Sequence, residues 1–164
     1  MVEEKEGIAY VYIGEEDKLY ELSEKSDEIK KIFGYSFQRP AFHSMLTVQE
    51  NLEHFATLYG ISNKFGRKNA NSLLDLVELK HAKNILGKDL SGGMQKRLCF
   101  ACSLIHSPKI LFLDEPTSNL DIDNQILILN IIKSLQNNNH SFLISLHDLN
   151  LASLYCDELL LLSK

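Results

Sequence analysis

The chain has 164 residues and a mass of 18.7 kDa, with 45% apolar residues, 24% charged residues and a formal charge of −5 at pH 7. That is material for one domain with a subdomain and too little for two full domains, and the negative balance builds in no bulk attraction to nucleic acid or to an anionic membrane surface. No apolar run approaches the roughly 20 residues that cross a bilayer as a helix, no signal-peptide pattern opens the chain, and an odd cysteine count implies reduced thiols in a cytosolic compartment.

The first thirty residues hold ten acidic and four basic side chains around one β-like run, Ile8 to Ile13, and are expected to be peripheral. The apolar run Ile32 to Phe37 is a predicted strand that stops at Gln38-Arg39-Pro40, since proline brings no N–H to a ladder and restricts the residue before it. Thr47 with Glu50 three residues later is a capping-box pattern, and Leu52, Phe55, Ala56, Leu58 and Tyr59 recur at helical spacing up to Gly60. A second amphipathic stretch covers Lys68 to Leu79, with Leu73, Leu74, Leu76, Val77 and Leu79 as its apolar face. Ser91-Gly92-Gly93 opens a third helix that runs to about His106. Beyond Pro108, Ile110 to Leu113 and Ser141 to Leu146 are near-continuous apolar runs of strand length, separated by the helical pattern Asn124 to Leu135. This alternation predicts an α/β fold with a parallel sheet covered on both faces. A short helix from Asp148 and a strand-like run, Glu158 to Leu162, complete the pattern.

Two segments carry chemistry. The Ile110 to Leu113 strand delivers two adjacent carboxylates, Asp114 and Glu115, to its C-terminal end, where ligands bind in open α/β sheets. One carboxylate can hold Mg²⁺, usually through a water, while its neighbour polarises an attacking water. Alone, such a segment is more simply a buried strand running into a solvated acidic loop. One predicted helix earlier, Ser91, Gly92 and Gly93 set a hydroxyl and bare backbone N–H groups at the positive end of a helix dipole, which suits a phosphate oxygen. A glycine-rich helix start by itself is more often a turn. Cys99 and Cys102 form a CxxC pair, but no second pair exists and they fall at i and i+3 of an apolar helix, so they are expected to be small core residues and no zinc is predicted. His43, His54, His81, His106 and His140 show no ligand spacing and are expected at the surface or its boundary.

LSGGMQKRL followed by KILFLDEPTSNLD closely resembles the signature and Walker B regions of ABC-type ATPases, in the right order and joined by a single helix. The resemblance covers almost the whole chain. Gln38 in GYSFQRP looks like the Q-loop glutamine, Ser118 to Asp121 looks like the D-loop, and His147 in SLHDLNLA looks like the switch histidine. The resemblance implies a P-loop NTPase-like (RecA-like) parallel sheet core with an ABC helical subdomain, the N-terminal part of the core missing: residues 1–39 as partial core with the Q-loop, 40–107 as helical subdomain with the signature, and 108–164 as core with Walker B, D-loop and switch histidine. It implies ATP and Mg²⁺ as cofactors. Asp114 is then the Mg²⁺ partner, Glu115 the residue polarising the attacking water, His147 a γ-phosphate contact, and Gln38 a contact to metal and water that senses a membrane partner. Ser91, Gly92 and Gly93 would serve the nucleotide held by the opposite subunit of a head-to-tail dimer, and Asp121 would help couple the two sites. Met94 stands where many members have glutamine, Asn119 where many have glycine, and Cys102 where many have arginine.

The family's P-loop, Gly-x4-Gly-Lys-Ser/Thr, is not found. Gly87-Lys88-Asp89 lacks the upstream glycine and the hydroxyl, and leads into the signature rather than following a strand. The resemblance therefore implies the ATP-binding subunit of an ABC transporter, cytoplasmic and peripheral at the inner face of the plasma membrane through a transmembrane permease, with a second ABC subunit as partner and no nucleic acid. The chain alone is expected to be inactive in ATP hydrolysis. It is also expected to be poorly soluble, partnered or rearranged, because two sheet edges would lack neighbours. A degenerate subunit that completes a partner's site, or a soluble ABC protein outside transport, are the alternatives. Features of both importers and exporters are present, with a lean to export.

Overall fold

Thr47 and Glu50 hold each other at the start of the first helix. The Thr47 hydroxyl accepts from the Glu50 amide at 3.2 Å, and the Glu50 carboxylate accepts from the Thr47 amide at 2.8 Å. This is the expected capping box, and it opens α1, Val48–Leu58. The computed structural model describes residues 31–136 and 140–160 with side chains, and residues 2–5, 8–13 and 18–21 as backbone.

The second helix, α2, spans Asn63–Leu76, starting well before Lys68 because its first turns are polar and carry no apolar stripe to read. It stops before Leu79 because Glu78 turns into the left-handed region at φ 56°. Val77 and Leu79 are still buried. Gly66 lets the two helices close: a Cβ there would lie 3.0 Å from the Ala56 Cβ. Below α1 the fully buried Asn51 staples the entering loop. Its Nδ2 donates to the carbonyls of His43, Leu46 and Thr47 at 3.0, 3.1 and 3.0 Å, and its Oδ1 accepts from the His43 amide at 2.8 Å.

The third helix, α3, Gly92–Leu104, is buried continuously from Leu98 to Leu104 and runs through the middle of the molecule. It lies hard on the strand β4, Phe33–Ser36, where a Cβ on Gly34 would come 2.6 Å from the Ser103 carbonyl oxygen. Ile32 is helical rather than part of that strand. The strands β5, Ile110–Asp114, and β6, Ser141–Ser145, flank α4, Ile122–Gln136, and α5 spans Leu149–Tyr155. The sheet is parallel with order β4-β5-β6, Phe33 opposite Ile110 and Asp114 opposite Ser145. Separately, β1 (Val2–Lys5), β2 (Ile8–Ile13) and β3 (Lys18–Glu21) form an antiparallel sheet in that order, of which only the middle strand was expected.

Two expectations are corrected. Among the described residues the parallel sheet is covered on one face: Gly34, Leu111 and Leu113 are buried, whereas Tyr35 is 47% and Leu143 60% exposed on the other face. Hydrophobic runs report how apolar a strand is, not how many layers lie over it. Glu158 to Leu160 form no strand, and Leu161 and Leu162 lie outside the described residues. Within the described residues β4 and β6 are the sheet's edges, each paired only with β5.

Candidate functional site

The acidic pair sits where β5 leaves the sheet. Ser145, opposite Asp114 in the register, donates from Oγ to Asp114 Oδ1 at 2.9 Å and accepts from the Glu115 amide at 2.8 Å. Glu115 itself takes a φ of 45°, a conformation that a residue with a Cβ adopts only when its surroundings impose it. The turn directs its carboxylate away from the strand. There Gln38 Nε2 donates to Glu115 Oε2 at 2.6 Å, and His147 Nε2 meets Glu115 Oε1 closely. Gln38 follows β4 and His147 follows β6, so three neighbouring parallel strands deliver their next residues to one carboxylate. Gln38, Asp114, Glu115 and His147 thus lie together, linked by hydrogen bonds at the C-terminal edge of the sheet.

Ser91, Gly92, Gly93 and Asp121 form a second group. Ser91 caps α3, its Oγ accepting from the Met94 amide at 3.3 Å, and the space about Gly92 is open. Gly93 abuts Asn124, whose Nδ2 donates to both carboxylate oxygens of Asp121 at 2.9 Å. Asp121 caps α4 by accepting from the Asn124 amide at 2.8 Å, and these bonds to Asn124 hold its carboxyl below the usual range, with Arg97 adding a smaller pull. Among the described residues no hydrogen bond joins this group to Gln38, Asp114, Glu115 or His147. Ser91 and Asp121 are exposed, so their polar faces are open to a molecule approaching from outside.

The residue substitutions noted in the motifs are accommodated. Asn119 has a φ of 58°, a conformation open to glycine and, more readily than to other residues, to asparagine. Met94 packs against the core, and Cys102 is buried within it. Burial pushes both Cys99 and Cys102 thiols up, and Cys99 Sγ accepts from the Ala41 amide at 3.4 Å.

Sequence reasoning missed Ser145, Lys96 and Asn124, and gave Ser118 no part beyond its place in the D-loop. Ser145 was recoverable as the residue two before His147 at the end of a strand expected to flank the Asp114 strand. Lys96 and Asn124 carried no signal outside the folded geometry. As a metal donor Asp114 fits Mg²⁺ in one respect: its oxygens are hard, and among the described residues no group of three His, Cys, Asp or Glu surrounds it. A single carboxylate suits an ion that shares its coordination with nucleotide phosphates and water rather than a protein cage.

The chain resembles known proteins in sequence and in fold. The family model described as ABC transporter matches residues 6–118. A fluoroquinolones export ATP-binding protein of Mycobacterium tuberculosis is 40% identical over 124 residues, covering 76% of this chain and 40% of that protein. Among solved structures, cbiO1 of Clostridium perfringens, part of the ABC transporter complex cbiONQ, superposes with a TM-score of 0.78 at 28% identity over 87% of this chain and 58% of that one. A dimeric post-hydrolysis state of an ATP-binding cassette bound to ADP and Pi gives a TM-score of 0.73 at 28% identity, over 88% of this chain and 65% of that one. The chain therefore spans less than two thirds of these relatives. No helix among the described residues is long and apolar enough to cross a membrane. With its signature and acidic strand placed in an α/β fold shared with these cassettes, the chain belongs to the ABC transporter family, as part of an ATP-binding domain.

Proposed function

We propose that the chain is part of the cytoplasmic subunit that binds and hydrolyses ATP to drive a transmembrane permease at the inner face of the plasma membrane. The observation that carries this reading is the convergence of Gln38 and His147 on the Glu115 carboxylate from the ends of separate strands. In the proposed assignment Asp114 holds Mg²⁺, which supplies charge neutralisation on the phosphates when bound. Glu115 takes the proton side of the attacking water, a role its swung-out carboxylate suits. His147 and Gln38 hold that carboxylate until a nucleotide and its water compete for it. Ser91, Gly92 and Gly93, grouped with Asp121 and separate from the Glu115 carboxylate, serve the nucleotide of an opposing subunit in a head-to-tail dimer. Residues 40–107 are proposed as the unit that docks the permease, and export as the direction, in line with the exporter named above.

The 164 residues contain no Gly-x4-Gly-Lys-Ser/Thr run, so by themselves they are proposed not to turn ATP over. The test is ATP turnover by the full-length gene product with the subunits that co-purify with it. Glu115→Gln is expected to lower kcat by roughly 10²- to 10⁴-fold, the range for a positioned general base. Turnover equal to the unaltered protein would remove Glu115 from the chemistry.

A further inference from the structure

The ammonium of Lys96, one turn beyond the glycines that open α3, reaches two separate pieces of chain, the loop after β4 and the turn after β5. Its Nζ donates to the Gln38 carbonyl at 2.7 Å, the Glu115 carbonyl at 3.2 Å and the Ser118 hydroxyl at 3.2 Å. A lysine has three N–H donors and no acceptor, so this geometry spends its whole hydrogen-bonding capacity on two loops, one of them the turn in which the Ser118 amide donates to the Glu115 carbonyl at 3.1 Å. One helical step on, Cys99 receives the Ala41 amide, so the same face of α3 grips the segment after β4 at both Gln38 and Ala41. The Glu115 carbonyl that Lys96 holds belongs to the residue with the left-handed backbone, whose amide is held from the other side by Ser145. Lys96 is partly buried, and desolvation lowers its pKa against the smaller raising effects of Cys99, Glu115 and Asp114.

We infer that Lys96 is a positioning residue: its ammonium locks the Gln38 loop and the Glu115–Ser118 turn to the signature helix, and so sets the distance between Gln38 and the Glu115 carboxylate. This rests on the ATPase reading for its effect on turnover, while the locking itself is independent of that reading. Arginine is a poor replacement, since a planar fork cannot direct three protons to three acceptors placed around one nitrogen. Methionine keeps the stem and removes every donor.

The experiment compares the unaltered full-length gene product with Lys96→Met, Lys96→Arg, Ser118→Ala and Glu115→Gln, measuring steady-state ATP hydrolysis and amide hydrogen exchange by peptide. Lys96→Met is expected to lower kcat about tenfold to a hundredfold with KM for ATP changed less than about threefold, because a catalytic group is misplaced rather than a binding group lost. Lys96→Arg and Ser118→Ala should fall between Lys96→Met and the unaltered protein. Exchange should quicken in peptides covering residues 37–41 and 117–119 and stay unchanged in α1 and α4; a loss of overall stability would quicken all of them. Wild-type kcat in Lys96→Met, in a protein that Glu115→Gln disables, overturns the inference. If no variant and not even the unaltered protein hydrolyses ATP, the ATPase reading fails and exchange alone decides: selective quickening sustains the lock, and unchanged exchange at 37–41 and 117–119 overturns it. Should Lys96→Met fail to fold, Ser118→Ala decides in the same way, by selective quickening at 117–119 or its absence.

Discussion

Gly93 and Asn124 are packed so closely that a Cβ on the glycine would stand 2.8 Å from the asparagine side chain. Asn124 is also what holds Asp121, so the signature helix and the loop before α4 meet through a contact with no room for a methyl group. Gly93→Ala gains about 1 kcal/mol of helix propensity yet must push Asn124 off Asp121. In an Asn124→Ala background the three atoms nearest that Cβ are gone, so the same change should become neutral or stabilising. A double-mutant cycle by urea unfolding is expected to give a coupling of about 1 kcal/mol between the two positions. Additive effects would mean that the side chain of Asn124 moves aside at no cost.

Ser145 touches both members of the acidic pair. Ser145→Ala removes the acceptor of the Glu115 amide and the donor to Asp114 together, leaving the left-handed turn at Glu115 less constrained. ATP turnover of the full-length product should fall roughly tenfold, on the scale of a small misplacement of a reacting group. Ser145→Thr, which retains the hydroxyl on a residue suited to strands, should recover most of that loss.

The buried Asn51 tests the helical unit apart from any catalysis. Asn51→Leu fills similar volume but leaves the His43 amide without its acceptor and takes one of two donors from the His43, Leu46 and Thr47 carbonyls, which keep the Leu46, Gly87 and Asn51 amides. Leaving a buried polar group unpaired costs about 1–3 kcal/mol where water cannot reach it, so a loss in that range is expected in chemical denaturation. Little change would show that water replaces the side chain at the loop.

His106 gives the fold a pH dependence. Its Nε2 lies 2.8 Å from the Phe33 carbonyl oxygen, which can only accept, so the proton is on Nε2. Nδ1 is buried without a partner among the described residues, and the ring stacks on Tyr59 at 3.7 Å. Burial lowers its pKa below the ordinary 6.5, against a smaller raising effect of the Phe33 bond. The folded state therefore binds fewer protons than the unfolded one in this window, and the contribution of His106 is present above pH 6.5 and lost as pH falls from there through the lower folded value. His106→Gln keeps a donor for Phe33 and removes the titration. The melting temperature of the unaltered protein should drop between about pH 6.5 and 5 more steeply than that of the variant.

The parts legible in the sequence were those that local chemistry dictates. The capping box at Thr47, the apolar β5 strand and the glycines at the head of α3 each constrain their own segment, and the structure has all three as expected. Gln38, Glu115 and His147 were identified because a resemblance supplied their order; nothing in their spacing along the chain shows that they meet. The start of α2 was missed because polar turns leave no periodic apolar signal. The exposure of Leu143 was missed because Leu143 is as apolar as Leu111, and only the layering among the described residues distinguishes them. Lys96 reads as one more basic residue on a helix until its three acceptors are in place.

The parallel pairing of Phe33 with Ile110 encloses the whole helical unit between its two strands. During synthesis α1 and α2 can pack on each other while β5 is still inside the ribosome, whereas the strand that pairs with β4 among the described residues is complete only when Asp114 emerges, and β6 must follow that. Nascent chains stalled before Lys109 should therefore already protect α1 and α2 from protease while leaving β4 cleavable, and the sheet should close as the late, slow step that long-range pairing imposes.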